Sequence, residues 1–340
     1  LPDSILSENA LCKRNNRLAS QLYSIGVDFG ATKISAALVA AGGERIATAK
    51  ADTGRKRIVW DVVADLIAVV RCVAQQGEVG LESVAGIGIG AAGQIAPQTG
   101  TIVLSPNLQW RDVPLGAMLR EAFQRPVVVL NDVNAAALGE FHSGAGKGFG
   151  SLVAVFVGSG IGGGIIIDGT LWQGSNGAAA EIGHMIYRPG GELCGCGQQG
   201  CFEAYAGGVN VERRFREAVG GGTGSLALEL AGGDADKIYI HTIAEAARRG
   251  DAFARSVFED FKQALGILAA NLISVLNPDV LVLGGGIPER IPSLIESVSD
   301  SIQAHATVLS RRAVEVCMAR CGEDAALLGA AFAAFEGAKP

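Results

Sequence analysis

The chain has 340 residues, room for about two domains that each bury a core of their own. Hydrophobic residues make up 49% and charged residues 18%, which excludes disorder, and 48 glycines against 10 prolines indicate many tight turns without a collagen repeat. With a formal charge of −6 and scattered lysines and arginines there is no basic stripe for nucleic acid, and no apolar stretch reads as a membrane span.

Residues 1–21 hold Lys13, Arg14 and Arg17 without an apolar pattern and are read as a tail with no secretory leader. Alternation from Tyr23 to Val27, the polar turn Asp28-Phe29-Gly30-Ala31-Thr32-Lys33 and the apolar run Ile34 to Ala40 predict a β-hairpin. Helical spacing follows over 59–75, then buried strands over 84–90 and 127–130, the second ending abruptly at Asn131-Asp132. A helix is expected over 135–141. A strand over 151–157 is read as broken by the glycine run from Gly158 to Gly164 before Ile165 to Ile167, so the second half reopens with a hairpin as the first does. A long amphipathic helix over 253–276 stops at Asn277-Pro278, strand 280–283 runs into Gly284-Gly285-Gly286, and a last helix starts near Asp324. This alternation predicts an α/β protein of two distantly duplicated lobes with a cleft between them. Residues 22–130 with 325–340 are expected to form the N-terminal lobe, and 131–324 the C-terminal lobe.

Two segments match the dinucleotide pattern G-x-G-x-x-G: Gly88, Gly90, Gly93 and Gly158, Gly160, Gly163. That pattern needs a helix to begin inside the glycine run, whereas Gly164-Ile165-Ile166-Ile167 continues as a strand, so a Rossmann site is rejected. A Walker A loop is absent too, because Gly148 follows Gly146-Lys147 and Phe141 stands where its first glycine belongs. There remain two hairpin turns, Gly30 to Lys33 and Gly158 to Gly162 with Ser159 and Gly160, whose backbone N–H groups suit phosphate, and Gly284 to Gly286, with Gly285, in a third loop after a strand. Each alone also reads as a plain turn. Asp28 is placed to hold hydrated Mg²⁺, which favours one or two carboxylates plus water.

Seven cysteines cannot all pair within one chain, and three crowd together as Cys194, Cys196 and Cys201, ten residues and more after His184. Cys₃His on one glycine-rich loop is a closed tetrahedral zinc set, expected to be structural because it leaves no open position for water. The zinc-binding loop is read as 184–201. Cys12, Cys72, Cys317 and Cys321 are isolated and read as ordinary thiols, and cytoplasmic residence fits best.

Together the segments Asp28-Phe29-Gly30-Ala31-Thr32-Lys33, Asn131-Asp132-Val133-Asn134-Ala135-Ala136, Glu181-Ile182-Gly183-His184 and Cys194-Gly195-Cys196-Gly197-Gln198-Gln199-Gly200-Cys201-Phe202-Glu203 resemble the signatures of the ROK family of repressors and sugar kinases. The first alone says only actin-like ATPase, while the cysteine signature is specific. The resemblance implies a two-lobed actin-like ATPase (hexokinase/RNase H-like) fold, ATP-dependent phosphorylation of a hexose and a homodimer. It places the catalytic base at Asp132 and sugar contacts at Asn107, Asn131, Glu181, His184 and Glu203, a set similar to that of glucokinases. N-acetylglucosamine or N-acetylmannosamine remains open as substrate, as does polyphosphate as donor. A sugar-responsive repressor is the other class; only about twenty residues precede the first strand, too few for a helix-turn-helix domain, and Asp28, Gly30, Thr32 and Lys33 all favour the kinase.

Overall fold

The computed structural model describes residues 23–53 and 58–337. The expected tail, with Cys12, lies outside them. Of the described residues, one unit runs to Ser143 and resumes at Glu323, and the other is Gly144–Gly322.

In the first unit β1 (Tyr23–Phe29), β2 (Lys33–Ala40) and β3 (Arg45–Asp52) form the predicted hairpin and one further antiparallel strand. The strand β4 (Val84–Ala91) lies parallel to β1. A small antiparallel sheet of β5 (Gln94–Ala96), β6 (Thr101–Ser105) and β7 (Trp110–Val113) follows, unannounced by any pattern read in the sequence. The next strand, β8 (Val127–Asn131), completes a five-stranded sheet in the order β3-β2-β1-β4-β8. Its helices are α1 (Val59–Gln76), which buries Val62, Leu66, Val69 and Val73 at helical spacing, α2 (Leu115–Phe123) and α3 (Asp132–Ser143).

The C-terminal helix, Ala325–Gly337, belongs to this unit and explains one glycine pattern. A Cβ on Gly88 would stand 1.8 Å from the Ala330 carbonyl oxygen, and one on Gly329 would stand 1.7 Å from that of Ala135. The first G-x-G-x-x-G run therefore serves close packing of helix on sheet. The same contact corrects the expected lobe boundary. Residues 131–143 and 323–324 fall in the first unit because α3 packs against the C-terminal helix and Asp324 pairs with Arg45 at 2.5 Å.

In the second unit β9 (Leu152–Val157), β10 (Ile161–Ile167), β11 (Thr170–Leu171), β12 (Val280–Gly284) and β13 (Glu315–Met318) take the order β11-β10-β9-β12-β13. Here the strand begins earlier than the sequence suggests, since Gly162 to Gly164 pair in register with Phe156 to Ala154. Glycine is needed in that strand because a Cβ on Gly163 would meet Ile182 Cδ1 at 2.6 Å. The helices are α4 (Phe202–Ala206), α5 (Gly208–Gly220), α6 (Leu226–Leu230), α7 (Ile240–Arg248), α8 (Ala252–Leu276), α9 (Gly286–Arg290), α10 (Leu294–His305) and α11 (Val308–Ala313). The predicted stop of α8 is real: Asn277 is left-handed, at φ 46°. No described helix is long and apolar enough to cross a membrane.

Candidate active site

In the first unit β1, β4 and β8 are parallel, so the carboxyl ends of β1 and β8 stand at the same edge of one sheet. Asp28 is the penultimate residue of β1, and Asp132 follows β8 directly as the first residue of α3. Burial, with the nearby Asp132 adding to it, pushes Asp28 up to about 6 against the pull of Lys33. Burial also raises Asp132, opposed by the N–H groups of Val133 and of Asp132 itself and by the Asn131 amide. Two half-buried carboxylates, one of which raises the other's proton affinity, fit a divalent cation.

Asn131 is the cap of α3. Its Oδ1 accepts from the N–H of Val133 (2.9 Å) and Asn134 (3.1 Å), while its Nδ2 donates to Asp132 Oδ1 (3.0 Å) and the Gly93 carbonyl (3.1 Å). Asp132 Oδ1 also accepts from the Val133 N–H (3.0 Å), so the Asn131 amide and that N–H together orient the Asp132 side chain. Asn134 is buried with Oδ1 lacking a hydrogen-bond partner. Asn107 stands exposed in the turn between β6 and β7, where Gln109 N–H donates to the Pro106 carbonyl, and no described hydrogen bond joins it to Asn131 or Asp132.

The hairpin turn after Asp28 is closed by the Gly30 N–H on the Lys33 carbonyl (3.0 Å) and braced by Thr53, whose hydroxyl donates to Ala31 and whose N–H donates to Thr32. Lys33 Nζ lies 3.8 Å from Glu323 Oε2, with side chains 45% and 90% exposed, so water screens the pair. Glu323 is an acid that sequence reasoning missed; nothing in Cys321-Gly322-Glu323-Asp324 marks it before folding brings it to Lys33.

In the second unit the glycine loops adjoin. Gly285, at φ 93°, packs so tightly that a Cβ would stand 2.5 Å from the Val157 carbonyl oxygen, directly before Gly158. Gly158 N–H donates to the Gly160 carbonyl, and the carbonyls of Gly158 and Ser159 accept from Gly208 and Val209 at the start of α5. The N–H groups of Ser159 and Gly160 make none of the described hydrogen bonds and remain for an anion.

The next residue, Ile161, donates its N–H to Glu203 Oε2 at 2.9 Å, and a Cβ on Gly160 would stand 2.3 Å from that oxygen. Glu203 is thus wedged beneath the glycine loop rather than solvated. Its other oxygen lies 3.6 Å from Cys194 Sγ. Donor atoms of His184, Cys194, Cys196 and Cys201 all fall within 4.8 Å of one another. Cys196 and Cys201 Sγ are 3.7 Å apart, as are Cys194 Sγ and His184 Nδ1. A tetrahedral ion with bonds of about 2.3 Å to sulfur needs edges of about 3.8 Å, so the four residues fit a closed tetrahedral metal.

Burial pushes the Cys194 thiol up to about 12 and raises Cys201. Burial acts on Cys196 as well, but the Gln198 N–H and the other two thiols outweigh it and lower that thiol. A metal would displace these protons. The other ring nitrogen of His184, Nε2, lies 3.9 Å from Glu181 Oε2. Behind the cluster Arg188, which sequence reasoning missed, pairs with Asp260 of α8 and stacks 4.7 Å from the ring centroids of both Tyr187 and Tyr205.

The profile of the ROK family matches residues 24–336. The chain belongs to the ROK family. It is 36% identical over 311 residues to the glucokinase of Streptomyces coelicolor, covering 91% of this chain and 96% of that one. The crystal structure of a ROK family glucokinase from Streptomyces griseus in complex with glucose and AMPPNP is 36% identical, with a TM-score of 0.72 over 92% of this chain and 99% of that one. The N-acetylmannosamine kinase of Vibrio cholerae is 32% identical over 92% of this chain and 99% of that protein. The mixed sheet of each unit is that of the actin-like ATPase fold of ROK kinases.

Proposed function

We propose that this ROK protein phosphorylates glucose at its 6-hydroxyl with ATP, using Asp132 as the base. The chain is an ATP-dependent sugar kinase; the glucokinases it resembles match nearly its whole length. What carries the reading of mechanism is the pair of half-buried acids at the carboxyl ends of β1 and β8, the edge at which open α/β sheets bind ligands.

Phosphoryl transfer asks mainly for positioning and charge neutralisation, with a carboxylate to take the hydroxyl proton late in the step. Asp132 suits that role because burial raises its proton affinity and the Asn131 amide holds Oδ1, so that Oδ2 is free to accept. Asn131 reaches a neighbouring sugar hydroxyl by exchanging its bond to Gly93. Asp28 holds hydrated Mg²⁺, which when bound supplies neutralisation of the phosphates. Gly30, Thr32 and Lys33 bind phosphate oxygens, Lys33 leaving its screened bond to Glu323. The Ser159 and Gly160 N–H groups also take phosphate oxygens, with Gly158, Gly284 and Gly285 shaping their loop.

Glu181, His184 through Nε2, and Glu203 bind sugar hydroxyls, with Asn107 a further contact. His184 with Cys194, Cys196 and Cys201 holds a structural Zn²⁺, which when bound fixes the knuckle that aims Glu203 and His184. Three free thiols at one site suit a reducing, cytoplasmic setting. The family also suggests a homodimer.

A coupled ADP-release assay across glucose, mannose, N-acetylglucosamine and N-acetylmannosamine, with ATP and polyphosphate as donors, tests this reading. Glucose with ATP is expected to give the highest kcat/KM. An N-acetylhexosamine stands second, on the strength of the Vibrio cholerae relative, and its preference over glucose would replace the assignment. No turnover with any sugar would point to a sugar-responsive regulator.

A further inference from the structure

We propose that the second unit carries a separate binding site for a small phosphate-bearing molecule, gripped by Arg255 and Arg290 in the cavity among α7, α8 and α9. The cavity has a volume of about 400 Å³, and its wall includes four cations, Arg248, Arg255, Lys262 and Arg290, against two carboxylates, Glu245 and Glu259. Both carboxylates are paired along their own helices with two of these cations, Glu245 with Arg248 at 2.7 Å (and with Arg249 at 2.6 Å) and Glu259 with Lys262 at 2.8 Å, which leaves Arg255 and Arg290. Neither Arg255 nor Arg290 has an ion pair or a side-chain hydrogen bond among the described residues.

Two uncompensated guanidinium groups lining one concavity repel each other, and an anion between them removes that repulsion. They come from different elements, Arg255 from the first turn of α8 and Arg290 from the last residue of α9, so tertiary packing rather than chain proximity brings them together. A guanidinium is a fork of N–H donors. Two forks need more acceptor oxygens than one carboxylate offers, whereas a phosphate monoester presents three on one compact dianion. Phe258 and Ile291 give an apolar wall and Ser293 a hydroxyl for the organic part. None of these residues belongs to the glycine loops, the paired acids or the metal cluster. The cavity lies at the end of α9 opposite Gly286.

The test is titration calorimetry of the full chain at low ionic strength with inorganic phosphate and with glucose 6-phosphate, each with and without saturating glucose and Mg-AMPPNP. The titrations without glucose and nucleotide read this site even if the chain proves not to be a kinase. The expected result is binding that survives saturation with AMPPNP and weakens at least tenfold in the double variant R255A/R290A, with R290Q alone intermediate and basal turnover unchanged. Tighter binding of glucose 6-phosphate than of phosphate identifies an organic phosphate as the ligand, and equal binding identifies the free ion. No binding by the wild type, equal binding by the double variant, or binding that AMPPNP abolishes would each overturn the proposal.

Discussion

In the first unit the carboxyl ends of the two outermost parallel strands lead into acids, Asp28 at β1 and Asp132 after β8, whereas the strands at the same places in the second sheet, β9 and β13, end at Val157 and Met318. The strand order is the same, yet one unit spends those positions on charge and the other on close packing, with Gly158 to Gly160 and Gly285 at the strand ends and the carboxylate of Glu203 brought in by a separate loop. A shared topology supplies the places, and the loops decide the chemistry set in them.

The comparison breaks first at Asp132. Asp132→Asn is expected to lower kcat by about 10²–10⁴-fold while glucose affinity, read by calorimetry, stays within about threefold. Loss of less than about tenfold would remove Asp132 from its role and leave the first unit without a catalytic acid. Because a base must be ionised, activity is also expected to fall with acidification through the raised pKa of Asp132.

Next comes the metal knuckle. Cys194→Ser, or removal of the ion by a thiol-competing chelator, is expected to cost about 10–100-fold in kcat/KM through a higher glucose KM, with loss of metal measured by mass spectrometry. If stripped protein keeps its glucose KM, the knuckle does not aim Glu203. A smaller and more local effect is expected of Gly160→Ala, whose methyl would push the Glu203 carboxylate aside: glucose KM rises about tenfold and the melting temperature barely moves. An unchanged KM would show that Glu203 does not touch sugar.

The smallest effect, one on stability, has the opposite sign. Asp28 is raised from 3.8 to about 6 in the folded protein, so its protonation favours the native state, and the stability it lends below about 4 is lost as pH rises through about 6. Asp28→Asn should therefore stabilise the metal-free protein at about pH 7.5 by about 1–3 kcal/mol, seen as a melting temperature higher by a few degrees, while abolishing Mg²⁺-dependent turnover. A lower melting temperature in that variant would mean that Asp28 is not held against its own desolvation.

Much of this was legible before folding. The hairpins heading each half, strands β4, β8 and β12 and the stop of α8 at Asn277 follow from periodicity and turn residues. The four metal donors converge as their spacing predicts, because a glycine-rich loop as short as 184–201 has few ways to place three thiols apart. The boundary between units was misplaced, since nothing local says that α3 packs on a helix from the far end of the chain. The small sheet that holds Asn107 at its turn, the bond of Lys33 to Glu323 and the stack around Arg188 were invisible for the same reason.

The amino-acid sequence by itself determined the fold class, the identity of the acids and which histidine and cysteines meet in one loop, all of which depend on residue type and short spacing. Only the tertiary structure decided that Asp28 and Asp132 share one sheet edge, that Asn131 caps α3 and holds Asp132, and that Glu203 lies under Gly160. Burial and contact between residues distant in the chain set a side chain's proton affinity and its partners, and no local pattern encodes either.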